Sequence, residues 1–174
     1  TAESFKEKAQ NLINEGATSF IVDVRDNTGG IVSEALQIAE YIVPKDKVLM
    51  ITIDKNGKRE ETKSKEDNFI KSDVVLLING NSASSTEILA GALKDNERAK
   101  LIGTKTYGKG VMQQILQLSN DNALKITTEE FITPNGDKID GVGIEPNDTI
   151  KLTTDTEGNV IDTQLKKATE ILNK

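Results

Sequence analysis

The run Asp73-Val74-Val75-Leu76-Leu77-Ile78 leads directly into Asn79-Gly80-Asn81-Ser82-Ala83-Ser84-Ser85-Thr86-Glu87. An unbroken apolar run of this length, bounded by polar turn residues, reads as a strand buried on both faces. Ser84-x-x-Glu87 then has the spacing of a capping box and opens a small-residue helix over Ser85 to Asp95. A short strand over Lys100 to Gly103 follows, then the loop Thr106-Tyr107-Gly108-Lys109-Gly110, with Gln113 just beyond. Buried strand, turn, helix and second strand spell an α/β fold. The same stretch carries chemistry. A serine-rich turn opening a helix offers a hydroxyl beside free backbone N–H groups, and a lysine between two glycines is easily brought close by a tight loop, which together suggest a Ser-Lys hydrolase.

Composition supports that reading by exclusion. The chain has no histidine and no cysteine, so a Ser-His-Asp triad, a Cys-His pair and a His- or Cys-ligated zinc are impossible within it. Lysine is the available amine base, because a desolvated ammonium loses its proton more readily. A net charge of −6, four phenylalanines, two tyrosines and no tryptophan leave neither a basic field nor a stacking platform for nucleic acid. At 174 residues the chain suits one domain burying roughly 70% of its unfolded surface. No apolar run approaches the roughly 20 residues of a membrane span, and the chain reads as soluble, without a signal segment. The carboxylates Asp137, Asp140, Glu145 and Asp148 lack the spacing of a calcium loop and read as a solvated turn; no metal or cofactor is expected.

In chain order, Ala2 to Glu15 places Phe5, Ala9, Leu12 and Ile13 on one helical face, with Gly16 as the residue that ends it. Ser19 to Val24 is a β-branched strand; after Arg25-Asp26-Asn27-Thr28-Gly29-Gly30 comes a helix with Val32, Ala35, Leu36 and Ala39 in register. That order presents backbone N–H groups at a sheet's C-terminal edge. Lys47 to Asp54 and Lys58 to Thr62 read as strands across an Asn56-Gly57 two-residue hairpin, and Lys63 to Ser72 as a surface connection. Val111 to Leu118 and Leu124 to Phe131 alternate as antiparallel strands joined across Asn120-Asp121-Asn122. Thr133 to Gly136 is a turn, Ile139 to Pro146 an extended glycine-punctuated segment, and Gln164 to Leu172 a closing helix.

Four of these motifs, Asp23 to Gly30, Ser82 to Asp95, Thr106 to Gln113, and Thr133 to Gly136 with Ile139 to Pro146, resemble the carboxyl-terminal processing (tail-specific) proteases of peptidase family S41. The resemblance covers about residues 1–152, leaving 153–174 as a C-terminal extension with a helix. It implies a crotonase/ClpP-like α/β spiral of β-strands with flanking helices. Ser84 matches the family nucleophile and Lys109, 25 residues on, its general base; Gln113 matches a residue that orients the lysine. The N–H groups of Gly30 and Ser85 match the oxyanion hole, with glycine at 30 leaving room for the substrate carbonyl or for an unusual φ. Two departures stand out: Thr28 replaces the usual proline, and Ser85-Thr86 replace the commoner Ala-Ser after the nucleophile. The implied function is a serine endopeptidase that cuts near the C-termini of proteins or peptides, binding the tail as an added strand, in a cell-envelope, periplasmic or secreted setting. Family members also carry a peptide-binding PDZ domain, which these residues do not resemble. The alternative is an inactive or regulated peptide-binding scaffold of the same fold. The two separate on whether Ser84 and Lys109 meet.

Overall fold

The computed structural model describes residues 1–120 and 122–173. In chain order its elements begin α1 (Ala2–Asn14), β1 (Ser19–Asp23), α2 (Val32–Glu40), β2 (Val48–Asp54), β3 (Arg59–Lys63), β4 (Asp73–Ile78) and α3 (Ser85–Asp95). They continue β5 (Lys100–Gly103), β6 (Val111–Gln117), β7 (Ala123–Ile132), β8 (Asp148–Thr149), β9 (Thr153–Thr154), β10 (Val160–Ile161) and α4 (Thr163–Leu172). Two four-stranded sheets form, one parallel in the order β1-β4-β5-β8 and one antiparallel in the order β3-β2-β7-β6. Strands β9 and β10 pair separately. Among the described residues no helix is long and apolar enough to cross a membrane.

The apolar run of β4 needs two coats because its side chains alternate between faces. Val74, Leu76 and Ile78 join the main core with Phe20, Ile88, Leu89 and Leu101, beneath α1, α2 and α3. Val75 and Leu77 point the other way, into a smaller cluster with Ile102 and with Ala168 of α4. Each such side chain contributes roughly 1.5–3 kcal/mol on burial. Helix α3 is buried from Ser85 to Leu93 and packs against α2, β2 and β5. Its small residues permit this, since a Cβ on Gly91 would stand 3.2 Å from Thr133 Cγ2.

The 153–174 stretch is tied to the root of the first glycine loop. Arg25 donates to both carboxylate oxygens of Asp162 at 2.9 and 2.8 Å, to Gln164 at 3.0 Å and to both oxygens of Asp23. Asp162 in turn accepts from the Leu165 N–H at 2.9 Å and caps α4.

Several expectations change on contact with the structure. Leu12 stays on the exposed side of α1, while Ala2 takes a buried position beside Ala9. The β2–β3 connection is a four-residue loop, 55–58, closed by Asp54 N–H donating to Lys58 O, with Gly57 at φ +80° and the Asp54 carboxylate accepting from the Asn56 and Lys58 amides. The surface connection after β3 sinks Ser64 and Ile70 into the core. Ile139 to Pro146 is folded rather than extended: Val142 and Gly143 both donate to Ile139 O, and Gly141 and Gly143 supply the positive φ this requires. In the β6–β7 connection Leu118 N–H donates to Asn122 O, while Asp121 lies outside the described residues.

The Arg25 guanidinium, with the α4 amides, holds the Asp162 carboxyl below the usual carboxylate range. A depressed carboxyl stabilises the fold above its unfolded pKa of about 3.9 and loses that contribution as pH falls. Asp162→Asn keeps a good cap and removes the charge pair, so thermal unfolding at pH 7 is expected to show a loss of about 0.5–1 kcal/mol. The difference from the parent chain closes as the pH drops below about 4.

Candidate active site

Strands β1, β4 and β5 lie side by side and run the same way, with Asp23 opposite Leu77 and Ile78 opposite Gly103. Their following loops therefore leave at one edge, the place where open α/β sheets build their sites. The loop after β1 carries Gly29 and Gly30, the turn after β4 carries Ser84, and the loop after β5 carries Lys109.

Hydrogen bonds lock the first loop to the second. Asp26 accepts from the side-chain amides of Asn79 and Asn81 at 2.9 and 2.8 Å, and its own N–H donates to Asn79 Oδ1 at 3.0 Å. The Asn81 and Asn79 amides hold its carboxyl below the ordinary aspartate range. Ala83 N–H donates to Asn27 O at 3.1 Å, and the Ser82 hydroxyl to Val24 O at 2.8 Å. The close approach falls on Gly29: at φ +91°, a Cβ there would lie 2.5 Å from Ala83 O and 3.0 Å from Ser84 Cβ. Gly30, expected to need glycine for room or for φ, has an ordinary φ and open space where a Cβ would stand. Its N–H donates to the Ser85 hydroxyl at 2.8 Å.

Ser84 sits at φ 59°, ψ −122°, just ahead of α3. A non-glycine residue held there carries strain of order 1–3 kcal/mol, which persists only where its surroundings enforce it. Of the four neighbouring hydroxyl residues, Ser82, Ser85 and Thr86 are buried and Ser84 is partly open.

The second loop is locked to the third through Glu87, which is wholly buried. Its Oε2 accepts from the Ser84 N–H and the Lys109 N–H, each at 2.9 Å, so those two backbone nitrogens stand within twice that distance of each other. Its Oε1 accepts from the Thr106 hydroxyl at 2.6 Å and the Gly108 N–H at 2.8 Å. Tyr107 N–H adds a bond to Ser82 O at 3.0 Å. Beneath the lysine loop lies the folded 139–144 segment: Gly141 N–H donates to Gly108 O, Gly110 N–H to Asp140 Oδ1 and Ile144 N–H to Thr106 Oγ1. The glycines flanking Lys109 are needed here, since a Cβ on Gly108 would meet Gly143 N at 3.0 Å and one on Gly110 would meet Asp140 N at 2.4 Å.

The structure thus brings the backbones of Ser84, Ser85, Gly30 and Lys109 to one edge, with no hydrogen bond, among the described residues, between the Ser84 hydroxyl and the Lys109 amine. Gln113 goes elsewhere: it is exposed beside a bulge in β6, and its amide donates to Thr127 Oγ1 at 3.4 Å. Asp140 serves the Gly110 amide, Glu145 pairs with Lys105 and Asp148 with Lys100; among the described residues no group of three or more acidic side chains could hold a metal ion. Glu87 and Gly29 were not singled out by sequence as members of the site. Glu87 was visible there only through its capping spacing, and Gly29 only as half of a glycine pair.

The model of peptidase family S41 matches residues 1–150, and the chain belongs to that family. It is 40% identical over 149 residues to carboxyl-terminal-processing peptidase 3 of Arabidopsis thaliana, covering 84% of this chain and 29% of the relative. It is 34% identical over 154 residues to the carboxyl-terminal-processing protease of Synechocystis, covering 87% and 36%. The solved photosystem II D1 C-terminal processing protease superposes with a TM-score of 0.80 at 30% identity, covering 90% of this chain and 42% of that one. The mixed α/β fold is that of the S41 proteases, and the chain spans about a third of the length of the curated relatives it matches.

Three substitutions test the geometry by thermal or chemical denaturation. Gly29→Ala is expected to lose about 2 kcal/mol or more, through φ strain and the clash with Ala83 O, whereas Gly30→Ala stays within about 0.5 kcal/mol of the parent. Glu87→Gln replaces one acceptor oxygen by an NH₂ that must face at least one backbone N–H, that of Gly108, and is expected to cost about 1–3 kcal/mol.

Proposed function

We infer that this chain is the catalytic core of a serine endopeptidase that cuts protein or peptide chains near their C-terminus. The observation that carries the inference is the single buried oxygen, Glu87 Oε2, that binds the backbone amides of both Ser84 and Lys109. The four-carbon stem of a lysine spans that separation easily. Neutral Lys109 takes the proton of Ser84 as its Oγ attacks the scissile carbonyl, and the N–H groups of Ser85 and Gly30 receive the oxyanion. The lysine ammonium then protonates the leaving amine, and water releases the acyl group from Ser84. Gln113 acts in orienting the lysine only if the amide leaves Thr127.

Two surfaces fit a peptide. Strand β6 is an edge of the antiparallel sheet and begins directly after Gly110, so a tail added along it runs into the site. On the other side, a cavity of about 550 Å³ is bounded by Gly29, Gly30 and Ser85 and walled by Phe5, Ile38 and Leu89, which suits an apolar substrate side chain.

Ser84→Ala and Lys109→Ala are each expected to abolish cleavage of an unstructured tail peptide while the chain stays folded by circular dichroism; substantial cleavage by either would reject the assignment.

A further inference from the structure

The two N–H groups assigned to the oxyanion are not in the same state. Around the serine turn, Ala83 donates to Asn27 O, Ser84 to Glu87 Oε2, Thr86 to Ala83 O and Glu87 to Ser84 O. Among the described residues the Ser85 N–H has no such partner, so it is open to an incoming acceptor. The Gly30 N–H is engaged by the Ser85 hydroxyl at 2.8 Å, and that residue is only 4% exposed. One half of the hole is therefore free and the other is filled by the side chain of the residue that supplies the first.

We propose that the Ser85 hydroxyl is an internal stopper on the oxyanion hole, which must release the Gly30 N–H before the tetrahedral intermediate is fully bound; this rests on Ser84 being the nucleophile. A neutral hydroxyl is a weaker acceptor than a developing oxyanion, so the exchange runs toward catalysis once the intermediate forms. Ser85 and Gly30 both border the same cavity, and a serine side chain has three staggered positions, so rotation about χ1 frees the amide without moving the backbone. In the resting chain the contact gives the Gly30 amide an acceptor and fastens the glycine loop to α3. Each turnover then begins by breaking one neutral hydrogen bond.

The test is Ser85→Ala in this chain, assayed on an unstructured peptide and against a peptide aldehyde whose serine adduct carries an oxyanion. The expected result is a kcat raised about 2- to 12-fold, the worth of one neutral hydrogen bond, with KM little changed. The aldehyde should bind tighter by a similar factor, while the uncleaved peptide binds Ser84→Ala and Ser84→Ala/Ser85→Ala equally. Exchange of the Gly30 amide with solvent, followed by NMR, should be faster in Ser85→Ala whether or not the chain is active. Unchanged or slower turnover in Ser85→Ala overturns the stopper, a slower rate meaning that the hydroxyl assists the oxyanion or positions the loop. Unchanged Gly30 exchange overturns it as well. If Ser84→Ala retains parental cleavage, or neither chain cleaves, the nucleophile assignment fails and the stopper falls with it.

Discussion

The arrangement depends on one buried carboxylate. Glu87 occupies the first turn of α3, where the helix dipole favours negative charge, and it is sealed from solvent. A charge in that position is sustained only by full hydrogen bonding, and here four donors supply it: two from the lysine loop backbone, one from the serine turn and one from the Thr106 hydroxyl. Because those donors belong to separate loops, satisfying the carboxylate fixes the loops relative to each other. An apolar residue at 87 would leave several buried amides unpaired, and an aspartate, one carbon shorter, would not reach both loops from the same turn of helix.

The strain at Ser84 is explained by the same surroundings. Its positive φ is imposed from three sides: by the Glu87 carboxylate on its own N–H, by the Ala83–Asn27 bond just before it and by α3 immediately after. Gly29 fits against the carbonyl of Ala83 and the Cβ of Ser84, a space that no larger residue could share. The strained residue is also the partly open one of a turn whose other hydroxyl residues, Ser82, Ser85 and Thr86, are buried.

Much of this was legible from sequence because the signals were local. The buried run of β4, the capped and small-residue α3 and the amphipathic α4 follow from composition and period, while the Asp162 cap of α4 emerged only in the structure. The glycine, serine and lysine motifs that the fold gathers at one sheet edge were visible for the same reason. What stayed hidden was decided by neighbours distant in the chain. The sequence cannot say which of two adjacent glycines meets Ala83 O, or that Glu87, a plausible cap, also accepts from a loop twenty residues later. The 139–146 segment reads as extended from its composition, yet it folds back because the lysine loop lies on it at Gly108 and Gly110. Leu12 has the spacing of a core residue but no partner over that part of α1, and the two-residue strands β8, β9 and β10 are too short for any periodicity to register.

The order of the parallel sheet has a bearing on how the molecule comes into being. Strands β1 and β4 are separated in sequence by α2 and the β2–β3 hairpin, and β4 and β5 by α3. The three loops meet only through the pairing of those distant strands, and the Arg25–Asp162 clamp at the root of the first loop draws on a residue 137 positions away. A chain in which those strands have not paired therefore carries Ser84 and Lys109 without the geometry that brings their loops together.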